Sequence, residues 1–331
     1  PTARVRGVLL FPGPYQIGMS SLAVHTLYRL LNQGGLACER AFVSPDGTQP
    51  VRSLETGRPL GAFDFVAITS SYELDWLRLP AALAASGLPP LREDRRSGPL
   101  LLMGGPALTA APLPLVHLYD AALIGEVEPV WPELRAALLL GDREAARERL
   151  AGVRGFIVPT HQSPPAPRTL VRQRAPDLDA FDTTSAFLTP DTEFADRLLI
   201  EMGRGCGRAC TFCLARQAYR PLRWRSPDHL VRVVRETLPL TTDIGLVAAA
   251  VSDYPHLDAL CDELGRLAPG LRVATSSVRA ETASPAFLAF LARSGQQTVT
   301  YAPEAATEAR RQALGKSLSD TDLDAAIVER G

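Results

Sequence analysis

The apolar positions of this chain alternate between two rhythms. Val5–Phe11 is a run of apolar and β-branched residues that ends at Pro12, as a buried strand would. Residues 20–32 carry Leu22, Val24, Leu27, Leu30 and Leu31 at roughly helical spacing, and Gly34-Gly35 stops them. The alternation then repeats. It predicts strands at 38–43, 63–69, 100–103 and 121–124, and helices at 74–85, 129–140 and 142–150. The third strand has few polar residues, which suits a parallel strand covered on both faces. Such a βαβ series predicts an α/β fold: a Rossmann-like doubly wound parallel domain over residues 1–155.

The rhythm then fails. Residues 156–195 hold Pro164, Pro165, Pro167, Pro176 and Pro190 with scattered Ser and Thr, and read as a Pro-rich extended linker. From residue 196 the alternation resumes, with strands predicted at 198–202, 244–251, 272–276 and 298–302. Helices are predicted from Ser226 to about 238, then at 256–267, 285–294, 304–314 and 320–329. Ser226-Pro227-Asp228 is a favourable helix opening: a hydroxyl cap, a proline in the first turn, then an acid. Four βα units over 196–331 predict a partial (β/α) barrel, truncated well before eight units.

Length allows two domains with their own cores, since there are 331 residues. A net charge of −1 supplies no field that would draw the chain to nucleic acid or anionic lipid. No apolar run reaches the roughly 18 residues of a membrane span, and Pro12 and Pro14 interrupt the start too early for a secretory segment. A membrane or nucleic-acid partner is therefore not expected. Five cysteines, three of them clustered, predict reduced thiols and a cytoplasmic location. The chain starts at Pro1 and stops at Arg330-Gly331, as a segment of a longer protein would.

The clustered cysteines carry the chemistry. Cys206, Cys210 and Cys213 follow a Cys-x3-Cys-x2-Cys spacing, so three thiolates can face one small object. Three is an odd number for zinc, which closes tetrahedrally with four ligands; His229 or Cys261 would have to complete it. Three suits a four-iron cluster with one iron left free. Cys38 and Cys261 have no cysteine neighbours and read as packed thiols, and His25 lies on a mostly apolar helix.

Several segments together resemble the cobalamin-binding-domain radical SAM family, related to anaerobic magnesium-protoporphyrin monomethyl ester cyclase-like enzymes. They are Arg204-Gly205-Cys206 through Phe212-Cys213, Tyr219 to Pro227, Ala302-Pro303-Glu304-Ala305-Ala306-Thr307 and Gly315-Lys316. In the first half they are Phe11-Pro12 through Ser20, Gly104-Gly105-Pro106 and Ile124-Gly125-Glu126-Val127-Glu128. The resemblance implies a 4Fe-4S cluster on Cys206, Cys210 and Cys213, S-adenosyl-L-methionine (SAM) on its free iron, and a 5′-deoxyadenosyl radical. Glu304, Ser277, Arg279, Ser252 and Phe212 would contact SAM. An electron donor such as flavodoxin or ferredoxin would serve the cluster, and the substrate is unknown. One motif departs from the superfamily: Ala249-Ala250-Val251-Ser252-Asp253 stands where Gly-Gly-Glu often binds the SAM amino group. Cobalamin would lie at the carboxyl edge of the first sheet, beside Gly104, Gly105 and Ser71, with no protein histidine on cobalt.

Two other functions fit parts of the pattern. A zinc-held module could grip RNA through Arg216, Arg220, Arg223 and Arg225. A tRNA methylthiotransferase would usually carry three further cysteines in its leading domain, where this chain has Cys38 alone.

Overall fold

The structure, a computed structural model, describes residues 5–159, 170–275 and 278–328. They divide into two compact units near Pro176; Asp191–Glu193 group with the first and Asp177–Pro190 with the second.

The first unit is built on six strands: β1 (Val5–Phe11), β2 (Leu36–Phe42), β3 (Phe65–Thr69), β4 (Leu100–Gly104), β5 (Ala121–Leu123) and β6 (Phe156–Ile157). Their order is β2-β1-β3-β4-β5-β6. The first five are parallel and β6 is antiparallel to β5. The direction of travel across the sheet reverses between β1 and β3, the kind of switch point where open α/β sheets leave a crevice. Val8, Leu10, Val66, Ile68, Leu101 and Met103 meet Leu79, Leu83 and Leu108 in one core. Two predicted helices begin later than their periodicity suggested. Residues 73–78 are a 3-10 turn and the α-helix is Leu79–Ala85; residues 128–130 precede the α-helix Trp131–Leu138 in the same way. Pro80 and Pro132 explain both, because proline is tolerated in the first turn of a helix but not in its interior.

The second unit has three parallel strands, β7 (Leu198–Glu201), β10 (Asp243–Val247) and β11 (Arg272–Thr275), with β10 in the middle. A two-residue hairpin, β8 (Gly203–Arg204) with β9 (Arg223–Trp224), follows β7. Ser226 caps the helix Pro227–Thr237 by accepting the His229 N–H at 3.2 Å, and Ser284 caps Pro285–Arg293 by accepting the Phe287 N–H at 3.1 Å. These helices and Leu257–Leu267 bury Leu230, Val234, Leu260, Leu264, Phe287 and Leu291 against Leu198, Ile200, Ile244 and Val273.

Two expected strands are corrected. Residues 298–302 form no strand. The Gln296 side chain occupies the edge of β11 instead: its Oε1 accepts the Thr275 N–H at 2.9 Å and its Nε2 donates to the Thr275 carbonyl at 3.2 Å. A side-chain amide thus takes the hydrogen bonds a fourth strand would have made there. Residues 248–251 leave β10 although they are apolar, because Ala248, Ala250 and Val251 are buried outside the ladder.

The stretch read as a linker is also partly structured. Gln173 bridges Gly125 beside β5, with its N–H donating to the Ile124 carbonyl at 2.8 Å. Thr183 and Ser185 bond the free edge of β7: Ser185 N–H donates to the Leu199 carbonyl at 3.0 Å, and Leu199 N–H to Ser185 Oγ at 2.9 Å. An uncovered edge has unpaired backbone groups, and this segment satisfies them. Asp179 and Asp182 lie 3.6 and 3.4 Å from the two nitrogens of buried His229. Residues 160–169 lie outside the described residues.

Candidate functional site

The cysteines sit on an excursion from the carboxyl end of β7. Pairing of Gly203 with Trp224 and of Arg204 with Arg223 closes its base. Gly205 has φ +97°, and a Cβ there would meet the carbonyl of Pro221 at 2.7 Å, so the entry into the loop needs glycine. Gly203 and Gly207 do not share that conformation; Gly203 instead makes room for the Trp224 ring. Glu201 ties the base together, accepting from Arg204 Nε and Nη2, both at 3.0 Å, and from Arg225 Nη2 at 2.8 Å. Arg225 is buried and also donates to the carbonyls of Leu178 and Phe181. It is a structural cation, buried and with both terminal nitrogens engaged inside the fold.

Cys206, Cys210 and Cys213 are free and half-buried, whereas Cys38 and Cys261 are buried. Burial pushes both core thiols up, Cys261 to about 12. They are packed side chains, as expected from their isolation. Among the described residues, no group of three or more His, Cys, Asp or Glu side chains is placed to hold one metal ion. A cluster takes each thiolate on a different iron, so its ligands need not meet at one point. Number and exposure fit it: three accessible thiols lie within one short loop. Cys206 Sγ already accepts a hydrogen bond, from the Arg208 N–H at 3.5 Å. Phe212, between the second and third cysteine, is 53% exposed and so serves no core.

Opposite charges gather where this loop meets the ends of β10 and β11. Arg208 Nε and Nη2 donate to the two oxygens of Asp253, at 2.9 and 2.6 Å. That bond is the main cause holding Arg208 more basic than usual. Burial works against the Asp253 carboxylate, but hydrogen bonds from Arg208 and Thr282 outweigh it and hold its pKa below the usual value. Thr282 Oγ1 lies 2.9 Å from both Asp253 Oδ1 and Ser252 Oγ, and the Arg279 N–H donates to Ser252 Oγ at 2.8 Å. Arg279 pairs with Glu281 through Nη2 and Oε1. The Ser252 hydroxyl is therefore already engaged by its neighbours. Ser277 lies outside the described residues.

The far side of the loop is braced by the turn after the helix Glu308–Ala313. Thr211 donates to the Leu314 carbonyl from its N–H at 2.9 Å and from its hydroxyl at 3.3 Å. Gly315 has φ +74°, and a Cβ on it would collide with the Ala209 carbonyl. Lys316 Nζ donates to the Ala302 carbonyl and, at 3.1 Å, to Glu304. Glu304 itself has φ +70°, an unfavourable conformation for a residue with a Cβ. The structure thus connects Glu304 to the cysteine loop through Lys316 and Gly315. The Arg208–Asp253 pair and Glu281 were not singled out in the sequence. A cation inside a cysteine loop was the available signal, but its partner lies 45 residues away.

The carboxyl edge of the first sheet is different. Gly105 has φ +106° and its Cβ position is filled by the Ser70 backbone, so its lack of a side chain serves β3–β4 packing rather than an open crevice. Gly104 is open, with Leu123 O the nearest atom to a Cβ at 3.9 Å. Ser71 is exposed. Gly125-Glu126 holds the incoming chain, Glu126 accepting the Ala175 N–H at 2.7 Å. His25 is buried, with Nε2 2.9 Å from the Met19 carbonyl.

Comparison with known proteins identifies this arrangement. Residues 200–326 match the radical SAM superfamily profile, and residues 23–159 match that of the N-terminal region of radical SAM proteins. The chain belongs to the radical SAM family, a class of enzymes whose cofactors are a 4Fe-4S cluster and SAM. An uncharacterised protein of Methanocaldococcus jannaschii, MJ0966, is 27% identical over 96% of this chain, which spans 65% of that relative's length. Two structures of the radical S-adenosylmethionine methyltransferase TsrM from Kitasatospora setae share the fold. One, with tryptophan substrate and aza-SAM bound, has TM-score 0.64 at 13% identity, over 98% of this chain and 65% of TsrM. The other, with cobalamin and a [4Fe-4S] cluster bound, has TM-score 0.62 at 14% identity, over 99% and 67%. No helix among the described residues is long and apolar enough to cross a membrane.

Proposed function

We propose that this chain is the cluster-bearing portion of an enzyme that reductively cleaves SAM. The observation that carries the reading is the set of three free thiols on one loop at the carboxyl end of a parallel strand, where barrel-type sheets place their cofactor contacts. When bound, the cluster supplies the electron that splits SAM into methionine and a 5′-deoxyadenosyl radical. Cys206, Cys210 and Cys213 are the ligands. Arg208 and Asp253 anchor one flank of their loop, and Gly315 with Lys316 the other. Ser252 and Arg279 follow the ends of β10 and β11, Glu304 is tied to the loop's brace through Lys316, and exposed Phe212 offers a flat apolar face to the adenine. A flavodoxin or ferredoxin supplies the electron. In this reading the second unit is a partial (β/α) barrel, and the first is a Rossmann-like domain of the cyclase-related branch.

Methyl transfer is the outcome we favour, with cobalamin at the carboxyl edge of the first sheet. TsrM is a methyltransferase with bound cobalamin, and Gly104 and Ser71 are open at the carboxyl edge of this chain's first sheet. The segment from Phe11 to Ser20 contains no histidine, so it would supply no histidine ligand to cobalt. Anaerobic reconstitution tests the central reading. It should give roughly four irons per chain, and Cys206→Ala should lose them. Stoichiometric zinc without iron would overturn the proposal in favour of a zinc-held module.

A further inference from the structure

At the amino edge of the first sheet, three arginines gather around one acid. Asp120 stands immediately before β5 and is fully buried; its Oδ2 accepts the Leu101 N–H of β4 at 2.8 Å. Arg143, at the start of the helix Arg143–Ala151, donates to Asp120 from Nη2 at 2.7 Å and from Nε at 3.2 Å. Arg95 Nη2 lies 3.7 Å from Asp120 Oδ1, and the Arg95 guanidinium donates to the carbonyls of Pro89, Pro90 and Leu118. Arg92 opens the 3-10 turn that leads to Arg95, and the Arg95 N–H donates to its carbonyl at 3.2 Å. Side chains three apart in such a turn lie one over the other.

Arg92 has no acid of its own. It is 8% exposed, and its Nε and Nη1 are buried without a partner among the described residues; Arg95 Nε is a third such atom. Native proteins keep few buried donors unpaired. Glu93 and Asp94, beside Arg92 in the chain, are exposed, and neither bonds its buried nitrogens. Three guanidinium groups thus share one carboxylate, an excess of two positive charges. Burying a charge without a counter-charge is far costlier than burying a pair. Burial lowers the Arg95 pKa from the usual arginine value; Asp120 opposes this, and Arg143 and Arg92 add to it. The cluster is not sealed, since the Arg143 side chain keeps 17% of its surface exposed.

The excess charge and the unpaired N–H donors select the ligand. A carboxylate brings one charge. A phosphate group brings up to two, with oxygens that accept parallel bonds from a guanidinium. We propose that Arg92, with Arg95 and Arg143, forms a binding site for a phosphate dianion, free or as the end of a phosphate monoester. The site lies at the opposite end of β4 from Gly104, so it is separate from the cofactor edge discussed above and does not depend on the proposed reaction.

The test is calorimetric, on the anaerobically reconstituted chain at fixed pH and ionic strength. Inorganic phosphate, ribose 5-phosphate and acetate are each titrated against a chloride background. At least one phosphate should bind saturably and raise the thermal midpoint, as a ligand of the native state does. Acetate should bind at least about tenfold more weakly. The tighter of the two phosphates identifies the source as free ion or ester. Arg92→Met keeps the bulk of the stem and removes the charge. It should be at least as stable as the parent in chloride and bind phosphate at least about tenfold more weakly. Arg92→Lys should keep part of the binding, and Arg149→Gln, exposed at the far end of the same helix, should keep all of it. A purely structural Arg92 gives the reverse pattern: Arg92→Met loses stability in chloride and retains the parent's phosphate response. That pattern, a response to acetate equal to that to phosphate, or no binding of either phosphate at millimolar concentration would overturn the proposal.

Discussion

The two parallel sheets end differently at their carboxyl edges. In the first unit the edge is finished by backbone and apolar side chains. The Ser70 main chain fills the space beside Gly105, Ser70 Oγ accepts from the Trp76 ring N–H at 2.8 Å, and Tyr72, Leu74 and Leu77 are 54%, 54% and 76% exposed. In the second unit the edge is charged, crossed by Arg208–Asp253 and Arg279–Glu281, and keeps buried polar atoms without partners. One edge is thus closed by backbone and exposed apolar side chains, and the other is charged. Strand order sets where a ligand can lie, and the few residues after each strand set its chemistry.

The largest expected effect breaks the comparison on the first side. Gly105→Ala puts a Cβ into the Ser70 backbone at φ +106° and should destabilise the chain by about 3 kcal/mol. Gly104→Ala should stay within about 0.5 kcal/mol. Urea unfolding of both variants decides this. Equal stabilities would show that the Gly105 site is an open crevice after all. Corrin retention after gel filtration should accordingly be probed at Gly104, where a bulky side chain can be added without unfolding the sheet.

Next comes the brace on the second side. Gly315→Ala should cost about 2 kcal/mol through its left-handed backbone and through collision with Ala209. Because Ala209 lies between two of the cysteines, iron retention should fall as well. Unchanged iron per chain at reduced stability would separate the turn from the loop.

Thiol reactivity sharpens the contrast between site and core. In the iron-free native chain, a thiol reagent near neutral pH should modify Cys206, Cys210 and Cys213, leaving Cys38 and Cys261 until unfolding. Burial and raised thiol pKa values protect the last two. Five equally fast cysteines by mass spectrometry would contradict the described core.

The smallest effect is a pH dependence of the second unit. Burial first, then the charge of Arg225, lowers the His229 pKa; Asp179 and Asp182 oppose this without reversing it. The unfolded chain therefore binds this proton more readily than the folded one. The resulting stability is fully present above the ordinary histidine value of about 6.5 and is lost as pH falls through it. His229→Gln should flatten the thermal midpoint between neutral and mildly acidic pH by a fraction of a kcal/mol. A variant with the parent's slope would assign that slope to other groups.

The sequence by itself determined what local chemistry dictates. β1 was legible to the residue because an apolar run, broken only by Arg6 and Gly7, ends at a proline. The Ser226 cap was legible because a hydroxyl, a proline and the following turn are neighbours in the chain. The cysteine triplet was legible because its spacing is local. Tertiary structure alone decided the rest. It gave the edge of β11 to the Gln296 side chain instead of a fourth strand, and used part of the proline-rich stretch to pair with β7. It placed Arg208 on Asp253 and left Arg279 and Glu281 half-satisfied. Those outcomes depend on which groups meet across 21 residues for Thr275–Gln296 and 45 for Arg208–Asp253. Local pattern constrains only neighbours a few residues apart, so pairings at such separations are settled by packing and by the need of each buried polar group for a partner.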